Sequence, residues 1–101
     1  MRMTAQTPAG DPAALLRVAS DGFDKALVAA RAAGAAEPTE FARLRQEFSR
    51  LSDELLTCGN VAEATFALLR SADCYRIASH WDEARPIYQR VIPLAQTDRD
   101  Q

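Results

Sequence analysis

The chain has 101 residues, enough for one modest core and hardly for two domains. Apolar residues make up 48% and charged residues 26%, the balance of a folded domain with a solvated surface. Its 12 basic and 14 acidic residues leave a net charge of −2, which argues against the basic excess of a nucleic-acid-binding face.

The opening stretch MRMTAQTPAGDP is polar and broken by Pro8, Gly10 and Pro12, so it lacks the apolar centre of a signal peptide. Residues 1–10 are expected to be disordered, residues 11–96 to form a single helical domain, and 97–101 to be a disordered tail. The longest near-apolar run, 26–36, is interrupted by Arg31 and Gly34 and falls short of the ~20 residues that span a bilayer. The expectation is a cytoplasmic protein with no membrane partner. Lys25 is the only lysine among eleven arginines, and alanine is abundant, a composition typical of GC-rich bacterial coding sequences.

No segment alternates with period two, and four helices are predicted at about 12–34, 39–58, 61–78 and 81–95. Asp11 caps the first and Pro12 fits its first position, followed by Leu15, Ala19, Phe23, Ala26, Leu27 and Ala30 at helical spacing. Asp21-Gly22 is a weak point, since Gly costs a helix about 1 kcal/mol relative to Ala. One helix ending at Gly34 is expected, with a break at 21–22 as the alternative.

Phe41, Leu44, Phe48, Leu51, Leu55 and Cys58 step by three and four to give the second helix a narrow apolar seam, with Thr39 as its expected cap. Its other face is charged, and the pairs Arg43–Glu47 and Arg50–Glu54 stand four residues apart. The third helix starts at Asn60 with Glu63 three residues on, a form of capping box. It is apolar on two sides: Val61, Ala64, Leu68, Ala72 and Tyr75 on one, Phe66, Leu69, Cys74 and Ile77 on the other. Such a helix is expected in the centre, with a neighbour on each side. The fourth runs through Trp81, Ala84, Ile87, Tyr88 and Val91, carries Pro86 near its start and is expected to end near Pro93. Connections of two to four residues make neighbours antiparallel.

Nothing in the pattern spells out a reaction. Cys58 and Cys74 match no metal or redox spacing and stand roughly 20 Å apart along a helix if a turn falls at Gly59-Asn60, which excludes a bridge within one chain. Reduced thiols fit the cytoplasm, and core packing fits them better than reactivity. His80, the lone histidine, has no nucleophile or base beside it and reads as a cap or surface residue. Glu47, Asp53, Glu54 and Asp73 fall on solvent-type positions. No phosphate loop, Glu-x-x-His pair or cofactor motif is present, so no catalytic residue, metal or cofactor is assigned, and the chain reads as a non-enzyme.

Three short stretches share a pattern: Gly22 to Ala26, Asn60 to Ala64 and His80 to Ala84. Each has a polar or turn-forming residue, an apolar residue, two often acidic positions and then Ala. Over LLRSADCYRIASHWDEARPIYQRVIPLA the chain resembles a tetratricopeptide repeat of the kinesin-light-chain style, carried by Leu68, Ala72, Tyr75, Trp81, Ala84, Tyr88 and Val91. The resemblance implies close packing of Ala72 on Ala84, with Tyr75 and Tyr88 in the aromatic positions. A weaker match runs through Phe48, Leu51, Ser52, Leu55, Gly59, Ala64 and Leu68. The two matches lie 20 residues apart instead of the family's roughly 34, so the third helix would serve two hairpins at once. Ser79 stands where the family's turn is usually Gly. A plain antiparallel four-helix bundle obeys the same packing rules, and both architectures stay open.

The resemblance implies a binding groove on one flank of the third helix: Phe66, Leu69, Asp73, Arg76 and Ile77, with Arg70 beside them. Large apolar side chains mixed with arginines fit a partner-binding patch. The competing reading packs Phe66 and Leu69 onto a neighbouring helix. Arg70 and Arg76 are both expected to be exposed. The expected function is adaptor, regulator or inhibitor, binding a protein or peptide. Trp81, Phe66 and Tyr88 do not all fit so small a core, which points to a homo-oligomer or a hetero-complex. The alternatives are an accessory subunit or small enzyme, and a purely structural homo-oligomerisation domain.

Overall fold

Asp11 opens the first helix by accepting a hydrogen bond from the Ala13 amide at 3.2 Å, and Pro12 takes the first position, where a missing N–H costs nothing. The computed structural model describes residues 11–99, with side chains as far as Gln96; the segment 1–10, expected to be disordered, and residues 100–101 lie outside the described residues. Within these limits the chain is all-α, in four helices: α1 (Pro12–Ala33), α2 (Pro38–Thr57), α3 (Val61–Ile77) and α4 (Trp81–Arg99).

α1 passes through Asp21-Gly22 without a break and ends at Gly34, whose φ of 78° only glycine adopts cheaply. Burial of Leu16, Ala19 and Phe23 along its inner face offsets the weak position. α2 is capped by Glu37 and not Thr39: Pro38 occupies the first helical position, and the Glu37 carboxylate accepts from the Glu40 amide at 3.0 Å. Its seam is buried throughout from Phe41 to Leu55, while Cys58 is exposed at the helix end. On the solvent face Arg50 pairs with both Glu47 and Glu54, and Arg43 pairs with Glu40 in place of Glu47.

Asn60 caps α3, accepting from the Glu63 amide at 3.3 Å while its own amide donates to the Glu63 carboxylate. The two turns that flank α3 are built alike. At the first, the amides of Cys58, Gly59 and Asn60 donate to Glu54, Leu56 and Leu55; at the second, those of Ala78, Ser79 and His80 donate to Cys74, Arg76 and Tyr75. Gly59 has φ 80° and Ser79 has φ 66°, so the serine holds a left-handed backbone that its turn requires.

α4 extends to Arg99, past the expected end near Pro93. Pro86 and Pro93 are both exposed and seven residues apart on one face, where water can meet the carbonyls left without a donor.

Phe23 of α1 sits edge-on to Phe41 and Phe48 of α2, ring centres 6.1 Å apart in each case. α3 packs against α2 and α4 and touches α1 lightly, the central place its two apolar sides call for. α4 approaches α3 alone: among the described residues neither α1 nor α2 comes within 8 Å of it, Cα to Cα. The helices therefore follow one another in series, in a body of 48 × 34 × 17 Å. Ala64 and Ala84, at the same place after each turn, are wholly buried, as are Ser52 and Ala72 on the helices before them. Small side chains at these positions let the backbones of successive helices come close.

Candidate protein-binding site

Phe66, Arg70, Asp73 and Ile77 recur at steps of four, three and four, so they share one stripe of α3. α1 stands on one side of that stripe and α4 on the other, and since the two outer helices do not meet, the stripe is the floor of an open valley.

The floor is tied to both walls. The Arg70 guanidinium lies 5.2 Å from the centre of the buried Phe23 ring on α1 and 4.8 Å from that of Phe66. Arg70 also donates to Asp73 Oδ2 at 2.8 Å. Asp73 Oδ1 accepts the Tyr88 hydroxyl of α4 at 2.5 Å, and Arg76 Nε donates to the same hydroxyl oxygen at 3.2 Å. A chain of contacts thus crosses from Phe23 through Arg70 and Asp73 to Tyr88. Burial, and then its hydrogen bond to Asp73, push the Tyr88 phenol above its ordinary range.

The six residues singled out from the sequence separate into two groups. Phe66 is 37% exposed, and the Arg76 side chain is 44% exposed. Leu69 is half-buried, and Ile77 is half-buried against the core, so it belongs as much to the fold as to the valley. Two expectations fail here. Arg70 is not an exposed charge, because it is wedged between two phenyl rings and a carboxylate. Asp73 is not at a solvent position, its side chain being 16% exposed and engaged at both oxygens.

Phe66 also walls a groove of about 450 Å³ against α1, lined by Leu16, Arg17, Ser20, Asp21, Ala62 and Glu63. The Ser20 hydroxyl is buried there and makes no hydrogen bond to any of the described residues. Phe23 is legible in the sequence as a core position of the first helix, but no local pattern sets how α1 crosses α3, so the places of Ser20 and Phe23 beside this stripe are not. By sequence, Tyr88 reads as packing alone. An antiparallel hairpin turning at Ser79-His80 brings positions 73 and 88 level with each other, so their pairing could have been read from the turn.

Ionic chemistry elsewhere is modest. Cys74 is buried and its thiol is pushed up to about 12, first by burial and then by the charge of Asp73, which suits packing and not nucleophilic attack. His80 stacks on Tyr75 with ring centres 6.3 Å apart, and its Nδ1 is 3.9 Å from Glu83. Among the described residues no three His, Cys, Asp or Glu side chains converge as metal ligands would, and no helix is long and apolar enough to cross a membrane. The chain matches no protein-family model, no curated protein and no solved structure.

Proposed function

We propose that this chain is a non-catalytic, cytoplasmic binding module of tetratricopeptide-like character that holds a protein or peptide partner in the valley of α3. The observation that carries the reading is the gap between α1 and α4. It leaves Phe66 on the floor and Arg76 at its edge partly open to solvent, an aromatic and an arginine of the kinds that most often anchor interfaces. The Arg70–Asp73–Tyr88 chain holds both walls at a set distance before any partner arrives, which lowers the ordering cost of association. The like construction of the two turns supports the family resemblance, because each joins a pair of helices packed through the same small positions, while their 20-residue spacing departs from the family's repeat of roughly 34.

Phe66→Ala combined with Arg76→Gln tests it. Both side chains reach solvent, so the fold is kept, and capture of the partner from a lysate of the native host falls at least about tenfold. Arg70→Glu is a poor probe, since it sets a carboxylate beside Asp73 and withdraws a cation from the buried Phe23. Undiminished capture by the folded double variant removes the valley from the site.

A second reading, self-association, is favoured by one flank of α4. Trp81, Arg85, Tyr88 and Ile92 step by four, three and four, with Trp81 55% and Ile92 59% exposed on a helix that has one neighbour. Light scattering after size exclusion separates the readings: a dimer that Trp81→Glu converts to monomer supports it, and a monomer at about 0.5 mM, far above the micromolar Kd of ordinary specific association, removes it.

A further inference from the structure

The series of helices ends on two unlike surfaces. On α4, Trp81, Arg85 and Ile92 share one flank; both apolar side chains are more than half exposed, and Arg85 meets Asp82 only at 3.9 Å. At the other end, α1 and the start of α2 border a groove of about 630 Å³ whose α1 wall is Gly22, Ala26, Ala29, Ala30 and Ala33. Ala29 and Ala33 are exposed, so the wall has surface to offer. Lys25 stands at the α1 side of the groove, Glu37 and Glu40 at the α2 side. Glu40 pairs with Arg43, but among the described residues neither Lys25 nor Glu37 has a partner of opposite charge. Flank and groove also agree in length. Trp81 and Ile92 are eleven residues apart, as are Gly22 and Ala33. That is about 16 Å along a helix, and a step of eleven returns to the same face.

We propose that the groove between α1 and α2 is the seat of the α4 flank of a second copy of this chain, laid antiparallel to α1. The pairing rests on self-association through α4 and names the surface that flank meets. Laid this way, Trp81 covers Ala33 at the Glu37 end of the groove and Ile92 covers Ala26 at the Lys25 end. Arg85, one turn from Trp81, comes to Glu37 and Glu40 and forms a charge-assisted pair. Lys25 faces the C-terminal half of α4, where the helix dipole favours a cation. The parallel arrangement sets Arg85 beside Lys25, a like-charge contact. The flank carries one positive charge and the groove a net negative one, so the two surfaces match in sign as well as in length. Small side chains along the α1 wall let the second helix approach closely, whereas two α4 flanks set face to face oppose one protruding Trp–Ile stripe to another. Because the two surfaces differ, each copy offers one of each, and the contact is head-to-tail.

Dilution of the full, unaltered chain from about 0.5 mM to about 10 µM, followed by amide NMR, tests this over the range in which a weak specific association populates and empties. Resonances of Ala29 to Ala33 and of Trp81 to Ile92 are expected to shift together along one curve. In light scattering, Trp81→Glu and Ala29→Arg, both at exposed helix positions, are each expected to associate at least about tenfold more weakly than the parent. An equimolar mixture of the two restores a 1:1 pair, since the first keeps its groove and the second keeps its flank. Shifts confined to α4, or Ala29→Arg associating as the parent does, overturns the groove as the seat and leaves self-association through α4 standing. A mixture no heavier than its components also overturns the pairing, and a parent that stays monomeric at about 0.5 mM removes both the groove and the self-association it rests on. The dilution series uses the unaltered protein, so a variant that fails to fold does not blunt it.

Discussion

Tyr88 on α4 gives its hydroxyl hydrogen to Asp73 Oδ1 on α3 at 2.5 Å, while the other oxygen of that carboxylate accepts from Arg70. One carboxylate therefore joins the last helix to a guanidinium that rests on Phe23 of the first. Among the described residues no Cα of α1 comes within 8 Å of one of α4, so this network links the two outer helices by way of α3.

Tyr88→Phe keeps the ring and removes the hydroxyl. It should lower stability by about 1.5 kcal/mol, the lower end of the net worth of one hydrogen bond to a charged partner, since that partner retains its arginines. Asp73→Ala should cost more, about 2–3 kcal/mol, because it leaves Arg70 half-buried without an acid. Urea denaturation checks both, and a smaller loss for Asp73→Ala than for Tyr88→Phe contradicts the network as described.

Two backbone positions invite stabilising changes. Ser79 holds φ 66°, a region that costs a non-glycine residue about 1–2 kcal/mol, so Ser79→Gly should raise stability by about 0.5–1 kcal/mol after the added freedom of the unfolded chain is counted. Gly22 lies inside α1, and a Cβ there would meet Leu44 Cδ2 at 3.6 Å, an ordinary contact. Gly22→Ala should add about 0.5–1 kcal/mol. Thermal midpoints several degrees above the parent chain are the expected readout, and a fall in either case shows that the position is constrained in a way its backbone does not reveal.

The two thiols should behave differently. Cys58 is exposed and Cys74 is buried, so a thiol reagent at pH 8 should label one cysteine per native chain and both in denaturant. The alkaline limb of stability follows with a definite sign. An unfolded-state thiol ionises near 9, while native Cys74 keeps its proton to about 12. Between those values the unfolded state binds fewer protons, and stability falls as pH rises, by about 1.4 kcal/mol per pH unit. Tyr88, also raised, steepens the fall above its ordinary range, and Cys74→Ala should flatten it. A pH-independent plateau from 9 to 12 contradicts the burial of Cys74.

The helices were legible because each advertises itself locally: Asp11-Pro12 and Asn60 with Glu63 mark starts, Gly34 and Gly59 mark ends, and the spacing from Phe41 to Leu55 marks a buried face. α3 was readable as central because Leu68 and Ile77 lie on different sides of one rod. What failed were readings of charged residues. Arg70 and Asp73 look like surface positions by type, and only the crossing of α1 over α3 brings Phe23 beneath the one, while α4 brings Tyr88 to the other. That crossing is a tertiary fact without a local sequence signal. Pro93 differs for another reason: it stands on the exposed face of α4, and the helix continues to Arg99.

The valley of α3 is probed most directly by placing a photo-crosslinking amino acid, p-benzoylphenylalanine, at Phe66 and, as a control, at Val28, a more exposed apolar position on α1. Irradiation in the native host is predicted to give a discrete adduct from position 66 that is absent from position 28 and is suppressed by Arg76→Gln in the same chain. No adduct at 66, or the same adducts from both positions, would contradict the assignment of the valley as the partner's seat.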